Sequence, residues 1–107
     1  EWTLLSDFLG GAAIAGGKLK ETGTSHWQSP NTGSTNEFGF SALPAGARTN
    51  LGYYLDIGSR TWFWSSSTLN ATRAFFGTLY FDKTDLDSSN GDMKKNGFSV
   101  RCLRDTK

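Results

Sequence analysis

Apolar side chains recur at helical spacing over the first nine residues of the chain. Trp2, Leu5 and Leu9 follow the i, i+3, i+7 pattern that places side chains on one face of an α-helix. Gly10-Gly11 comes next, and glycine ends helices because it adopts the left-handed conformation at no steric cost. The pattern predicts a helix over residues 1–9.

The segment after this helix carries weaker patterns and then none. Residues 12–15 have room for one further helical turn before Gly16-Gly17, and residues 18–20 alternate as a short strand does. Residues 21–36 consist largely of Thr, Gly, Ser, Asn and Pro around Trp27, which is the composition of a loop. A connection of about 16 residues is longer than usual, and such loops often bind ligands.

Three later segments have the composition of β-strands bounded by turn residues, and they are residues 60–66, 74–81 and 97–103. In the third segment Phe98, Val100 and Cys102 occupy alternate positions. Asn90-Gly91 predicts a hairpin turn between the last two strands, because both residues accept a positive φ. The predicted fold class is α+β, with an N-terminal helix, long irregular loops and a small C-terminal antiparallel sheet.

The apolar faces of these elements suggest how they pack. On the first predicted strand, Trp62 and Trp64 project to one face of the sheet and Phe63 to the other. The helix and the sheet carry the strongly patterned apolar faces of the chain. We therefore expect the helix face of Trp2, Leu5 and Leu9 to pack against the sheet that contains Trp64, Phe98 and Val100.

Length and charge exclude several classes of protein. A chain of 107 residues predicts a single domain over residues 1–107. The formal net charge of +1, with scattered Lys and Arg, argues against nucleic acid as a partner. The longest apolar runs, such as residues 12–15, are far shorter than the ~20 residues that cross a bilayer. Gly, Ser, Thr and Asn make up 43 of the 107 residues, which favours an exported protein.

Five segments share a recognisable order and spacing. They are Glu-Trp at residues 1–2, Gly-Gly-Lys-Leu-Lys at 16–20, FGFSALPAG at 38–46, FWSS at 63–66 and GFSVRCLRD at 97–105. Together they resemble the Fibrobacter succinogenes major paralogous domain over nearly the whole chain. The resemblance implies a C-type-lectin-like architecture of the broader formylglycine-generating-enzyme kind, in extracellular or cell-surface proteins exported by Bacteroidetes and Fibrobacteres. It does not imply an activity.

The chain also departs from this family. Members usually begin earlier, with a Cys-Pro element and a Leu-Pro-Thr turn that this sequence lacks, so we expect the C-terminal portion of a longer exported protein. The resemblance implies that Cys102 would pair with the upstream cysteine, and we expect Cys102 here to be free and to face inward. It also makes Trp64 the expected core residue of the face it shares with Trp62.

No pattern in the sequence predicts catalysis. His26 has no nucleophile at a motif spacing, and there is no Gly-x-Ser-x-Gly elbow. Oxidase chemistry of the formylglycine-generating kind needs two cysteines, and the chain has Cys102 alone. The carboxylates of residues 82–92 crowd into one turn, and that turn lacks the glycine and the closing glutamate of an EF-hand. We therefore expect no enzyme, no metal site and no cofactor.

The aromatic residues carry the remaining signal. Trp27 in the long loop and Tyr53 and Tyr54 after Gly52 are expected to be exposed, with flat rings on which sugars and peptides stack. Burial in the core is the alternative for each. The predicted function is a non-catalytic surface or secreted binding module for a glycan or an envelope protein. A structural or assembly domain of a cell-envelope protein is the alternative, and the oligomeric state stays open.

Overall fold

The chain begins with two short helices. In the computed structural model, which describes residues 1–103, α1 spans Trp2–Phe8 and α2 spans Ala12–Leu19. The helix predicted over the first nine residues is confirmed. The strand predicted over residues 18–20 is wrong, because α2 continues through Gly16-Gly17 and its last turn includes the start of that segment.

Gly16 and Gly17 lie inside α2 because other parts of the backbone approach the helix closely there. A Cβ atom on Gly16 would overlap the carbonyl group of Asp85, and one on Gly17 would overlap the carbonyl oxygen of Gly33. The amide of Gly17 also donates to the carbonyl of Thr84 at 3.0 Å. The two glycines therefore permit contact between backbones instead of ending the helix.

Five strands form two antiparallel sheets. They are β1 (Ala47–Arg48), β2 (Tyr54–Leu55), β3 (Arg60–Thr68), β4 (Arg73–Tyr80) and β5 (Gly91–Met93). We call the β1–β2 pair the ribbon, and the other sheet has the order β3-β4-β5. The predicted α+β class is confirmed, and so are the first two predicted strands.

The third predicted strand, over residues 97–103, is wrong. Instead of pairing along its length, this segment makes isolated bridges, from Gly97 to Arg48 and from Ser99 to Phe63. The third strand of the sheet is β5, which begins at Gly91, where the sequence predicted a turn. Alternating apolar residues mark an extended segment beside a core, and they do not show that the segment is a paired strand.

Two clusters of apolar side chains pack on opposite faces of the large sheet. The helix-side cluster contains the buried residues Leu9, Ala15, Leu19, Trp27, Ala42, Phe63, Leu79 and Leu86. The ribbon-side cluster contains Ala47, Trp62 and Phe76, with Trp64 and Phe98 packed against them. The predicted alternation along β3 is confirmed, because Phe63 and its two tryptophan neighbours lie on different faces.

The first helix packs on the sheet as expected, but the expected contribution of Phe98 and Val100 to that packing is wrong. Trp2 of α1 contacts Phe63, with ring centroids 5.6 Å apart, so α1 covers the helix-side cluster. The other expected contacts lie elsewhere, since Phe98 packs on the opposite face and Val100 is 65% exposed. Trp64 is half-buried, whereas Trp62 is the buried ring of its face.

The end of the described chain leaves the sheet. Cys102 is free, and it is exposed, so the expected inward orientation is wrong. After Ser99 the described chain makes no further bridge to β3. The alternating apolar residues Val100 and Cys102 therefore have no sheet to pack on, and they are exposed. Within residues 1–103 no helix is long and apolar enough to cross a bilayer.

Candidate functional site

Trp27 is buried, so its expected exposure is wrong. The side chain is 1% exposed, and its indole Nε1 donates to the carbonyl of Ala42 at 2.8 Å. The long loop folds back over the helix-side cluster, where the indole has both apolar neighbours and a polar partner. A ligand cannot stack on this ring without displacing it from the core.

Lys20 ties this loop to the end of the large sheet. Its side chain is fully buried, and its ammonium donates to the carbonyls of Thr32, Tyr80 and Lys83 at 2.8, 2.8 and 3.0 Å. All three N–H donors of the ammonium therefore have an acceptor. The Nζ atom also lies 5.5 Å from the centroid of the Trp27 ring.

Burial sets the protonation behaviour of Lys20. Removal from water lowers the pKa of this lysine from 10.5 to about 8, and the nearby carboxylates of Asp82 and Asp85 offset part of that effect. Nothing in the sequence indicates this role of Lys20, because lysine is almost never fully buried and the short Lys-Leu-Lys segment carries no signal of burial.

The free energy of unfolding is expected to depend on pH through Lys20. Between pH 8 and 10.5 the unfolded chain retains a proton on this lysine that the folded chain has lost. The part of the Lys20 contribution that depends on pH is therefore complete above the unfolded pKa and is lost as the pH falls through the folded pKa, while the hydrogen bonds of the ammonium remain below that range.

Urea unfolding of the wild type and of Lys20→Met at several pH values measures this effect. The unfolding free energy of the wild type minus that of the variant should grow as the pH rises from about 7.5 to about 9.5. A difference that stays constant or shrinks would contradict the lowered pKa.

Tyr53 and Tyr54 lie at the surface, as expected. Their exposed fractions are 68% and 82%. Tyr54 belongs to the ribbon, where it is paired with Arg48, and the guanidinium carbon of that arginine lies 6.0 Å from its ring centroid. The structure therefore separates the three predicted binding residues into two exposed tyrosines and one core tryptophan.

The two tyrosines are part of a larger exposed apolar surface. We call it the apolar loop, and its exposed large side chains are Leu43, Leu51, Tyr53, Tyr54, Leu55 and Ile57. Ile57 is 85% exposed and Leu51 is 77% exposed, which is unusual for aliphatic side chains of this size. The aliphatic members were not predicted as binding residues, although four of the five residues from 53 to 57 are large and apolar.

A groove of about 460 Å³ runs beside the apolar loop, lined by Ser25, His26, Leu43, Pro44, Ala45, Ile57 and Gly58. Backbone hydrogen bonds of Gly58 connect the segments that line this groove. The amide of Gly58 donates to the carbonyl of Pro44, and the carbonyl of Gly58 accepts from the amide of Gln28, both at 2.8 Å. The groove therefore joins one end of the long loop to the apolar loop.

Polar side chains at the groove and in the 82–92 segment make local contacts. His26 is exposed, and its Nδ1 lies 2.8 Å from a carboxylate oxygen of Glu21. Asp87 accepts from the amide and hydroxyl of Ser89 and from Asn90, as turn residues do. Among residues 1–103, no three His, Cys, Asp or Glu side chains converge as metal ligands would.

The model of the Fibrobacter succinogenes major domain matches residues 1–104 of the chain. Comparison with curated proteins and comparison with solved structures find no match.

Proposed function

The chain belongs to the Fibrobacter succinogenes major domain family, and we propose that it is a non-catalytic binding module presented outside a bacterial cell. Its ligand contacts the apolar loop and the adjacent groove. A C-type-lectin-like architecture is part of this proposal, since in such a scaffold regular elements support irregular loops that bind.

The exposed apolar side chains of the loop carry the proposal. Isolated surface leucines are ordinary, but five of these six exposed apolar residues lie within residues 51–57, and Leu43 and Ile57 line one groove, which is typical of an interaction surface. Fully burying one leucine or isoleucine side chain stabilises a complex by about 1.5–3 kcal/mol. The four leucine and isoleucine side chains of the apolar loop, together with its two tyrosines, therefore offer enough binding energy for a specific partner.

The chemistry of the loop favours a protein ligand over a glycan. Sugars stack on flat aromatic rings, and the loop has two exposed tyrosines for that purpose. The other four exposed members are leucine or isoleucine, which contact apolar side chains of a protein better than the hydroxyls of a sugar. We therefore propose an envelope protein as the ligand, and a glycan is the alternative that the screen includes.

Binding is expected to weaken when the apolar loop is truncated. The protein is screened on immobilised envelope proteins and glycans, and Tyr54→Ala and Ile57→Ala are then compared with the wild type. Each variant loses the burial of one large side chain in the complex, which is worth at least about 1.5 kcal/mol. Because a tenfold change in affinity corresponds to about 1.4 kcal/mol, each variant should bind at least about tenfold more weakly. Both should remain folded, since the two side chains are more than four-fifths exposed.

Val100→Ala is the matched control, because Val100 is an apolar side chain that is 65% exposed outside the apolar loop. Unchanged binding by Tyr54→Ala and Ile57→Ala, or equal weakening by Val100→Ala, would reject the apolar loop as the binding surface. Self-association that disappears in the Ile57→Ala variant would instead favour a structural or assembly domain.

A further inference from the structure

The guanidinium of Arg60 lies close to two aromatic rings. Its guanidinium carbon is 4.1 Å from the ring centroid of Trp62 and 4.5 Å from that of Tyr80. Its Nε donates to the hydroxyl of Thr78 at 2.9 Å. The two neighbouring rings and the hydrogen bond at Nε restrict the position of the guanidinium.

The sheet itself builds this arrangement. In the register of β3 and β4, Arg60 is opposite Tyr80 and Trp62 is opposite Thr78, so all four side chains lie on one face. Thr78 is fully buried, and its hydroxyl donates to the carbonyl of Thr61 at 2.9 Å, which leaves its oxygen free to accept from Arg60. The support beneath the guanidinium is therefore rigid.

The supporting tryptophan is fixed as well. The Trp62 ring is stacked on Phe98, with centroids 5.4 Å apart and an interplanar angle of 13°. Trp62 is buried, whereas Arg60 and Tyr80 are half-buried at the rim of the ribbon-side cluster. The guanidinium thus lies where a core meets solvent.

Among residues 1–103, no group accepts a hydrogen bond from the two Nη groups of Arg60. Within residues 1–103 the ion pairs join Lys18 to Glu37 and His26 to Glu21, so no described carboxylate lies within 4.0 Å of Arg60. The hydrogen bond that Arg60 donates to Thr78 uses Nε, and it leaves both Nη groups without a partner among the described residues. Four N–H donors on the outer edge are therefore available to a ligand.

A second cation lies on the same tyrosine. The Nζ atom of Lys83 is 4.7 Å from the ring centroid of Tyr80. The carboxylate of Asp87, whose backbone pairs with Thr78, is turned to Ser89 and Asn90. Two positive groups and no paired carboxylate make this position complementary to an anion.

We propose that the Nη edge of Arg60 binds an aspartate or glutamate side chain of a protein partner, with Lys83 adding positive charge. A planar, fixed guanidinium recognises a carboxylate by two parallel hydrogen bonds, and it loses little side-chain entropy on binding. An arginine that served only to cover Trp62 would not need its Nε fixed on a buried hydroxyl.

This site lies next to the apolar loop in the fold. The carbonyl of Arg60 accepts from the amide of Gly46 at 2.8 Å, and its amide donates to the carbonyl of Asp56 at 3.1 Å. Arg60 is thus joined to both arms of the loop. The inference rests on the proposed function in that both assign a protein ligand, and it adds that the ligand is acidic.

Two peptide probes test the carboxylate. One is a hexapeptide of alternating Leu and Glu, and the other replaces each Glu with Gln. Dissociation constants and the NMR shifts of the Arg60 Nε–H and Trp62 Nε1–H signals are measured with the full chain. The Glu peptide should bind at least about tenfold more tightly than the Gln peptide and should shift both signals.

Arg60→Gln should abolish the preference for the Glu peptide, and Arg60→Lys should reduce it several-fold, because lysine lacks the planar pair of donors. Arg73→Gln, at an exposed arginine of β4, is the matched control and should keep the preference of the wild type. Two-dimensional NMR spectra establish that each variant is folded.

Three results would overturn the proposal: equal affinity for both peptides, no binding of either at millimolar concentration, or a preference that survives in Arg60→Gln. Hexagalacturonate serves as a third probe, an acidic glycan. If it binds and the Glu peptide does not, the ligand group is the carboxylate of a glycan and a protein carboxylate is rejected. If both peptides bind equally and Ile57→Ala removes that binding, the apolar-loop proposal stands while the Arg60 site is rejected.

Discussion

Replacing Lys20 with methionine is expected to lower the free energy of unfolding by about 3–5 kcal/mol. Methionine retains much of the volume of lysine and removes its three donors. The carbonyls of Thr32, Tyr80 and Lys83 would then be buried without a partner, and each such group costs about 1–3 kcal/mol. Because domains of this size are stable by only about 5–15 kcal/mol, the variant should be close to unfolding.

Thermal and urea unfolding measure this loss, with Lys18→Met as the control. Lys18 is two residues away on α2, is half-buried, and makes one ion pair, to Glu37 at 3.3 Å. Such pairs contribute about 0–1 kcal/mol, so the control should unfold close to the wild type. Equal stability of the two variants would mean that the three carbonyl contacts of Lys20 contribute nothing net.

The fold was predictable where a local pattern or composition coincided with regular hydrogen bonding. Helix α1 carries apolar residues at helical spacing and strands β3 and β4 are rich in aromatic residues, and the structure confirms all three elements. Strand β5 is Gly-Asp-Met, too short and too polar to show a period, so nothing in the sequence indicated it. Residues 97–103 show a period without forming a strand, because a single bridge at Ser99 suffices to hold Phe98 on the sheet.

The candidate site was predictable only in part, because burial of loop residues depends on distant contacts. Tyr53 and Tyr54 come directly after the turn residue Gly52, and their exposure was expected from that local context. Trp27 is buried because Ala42, 15 residues away, accepts its indole hydrogen bond. Arg60 and Lys20 depend on partners in β4 and the turn after it, which no spacing within their own segments could indicate.

Gly16→Ala is expected to destabilise the protein by about 3 kcal/mol, although alanine is intrinsically the better helix former by about 1 kcal/mol. The new methyl group would overlap the carbonyl of Asp85 and force α2 away from the segment that follows β4. Two backbone hydrogen bonds join these segments, from Gly17 to Thr84 at 3.0 Å and from Leu86 to Ala12 at 2.8 Å. Separation would weaken both bonds and loosen Leu86 in the helix-side cluster.

Gly39→Ala separates this clash from the general effect of adding a methyl group. A Cβ atom on Gly39 would meet nothing within 4 Å, and its φ of 75° adds only the strain of a left-handed alanine, about 1 kcal/mol. Urea unfolding should therefore show Gly16→Ala to be the less stable variant by about 2 kcal/mol. If Gly16→Ala were as stable as the wild type, α2 and residues 84–86 would not pack backbone to backbone, and Gly16 would be an ordinary helix position.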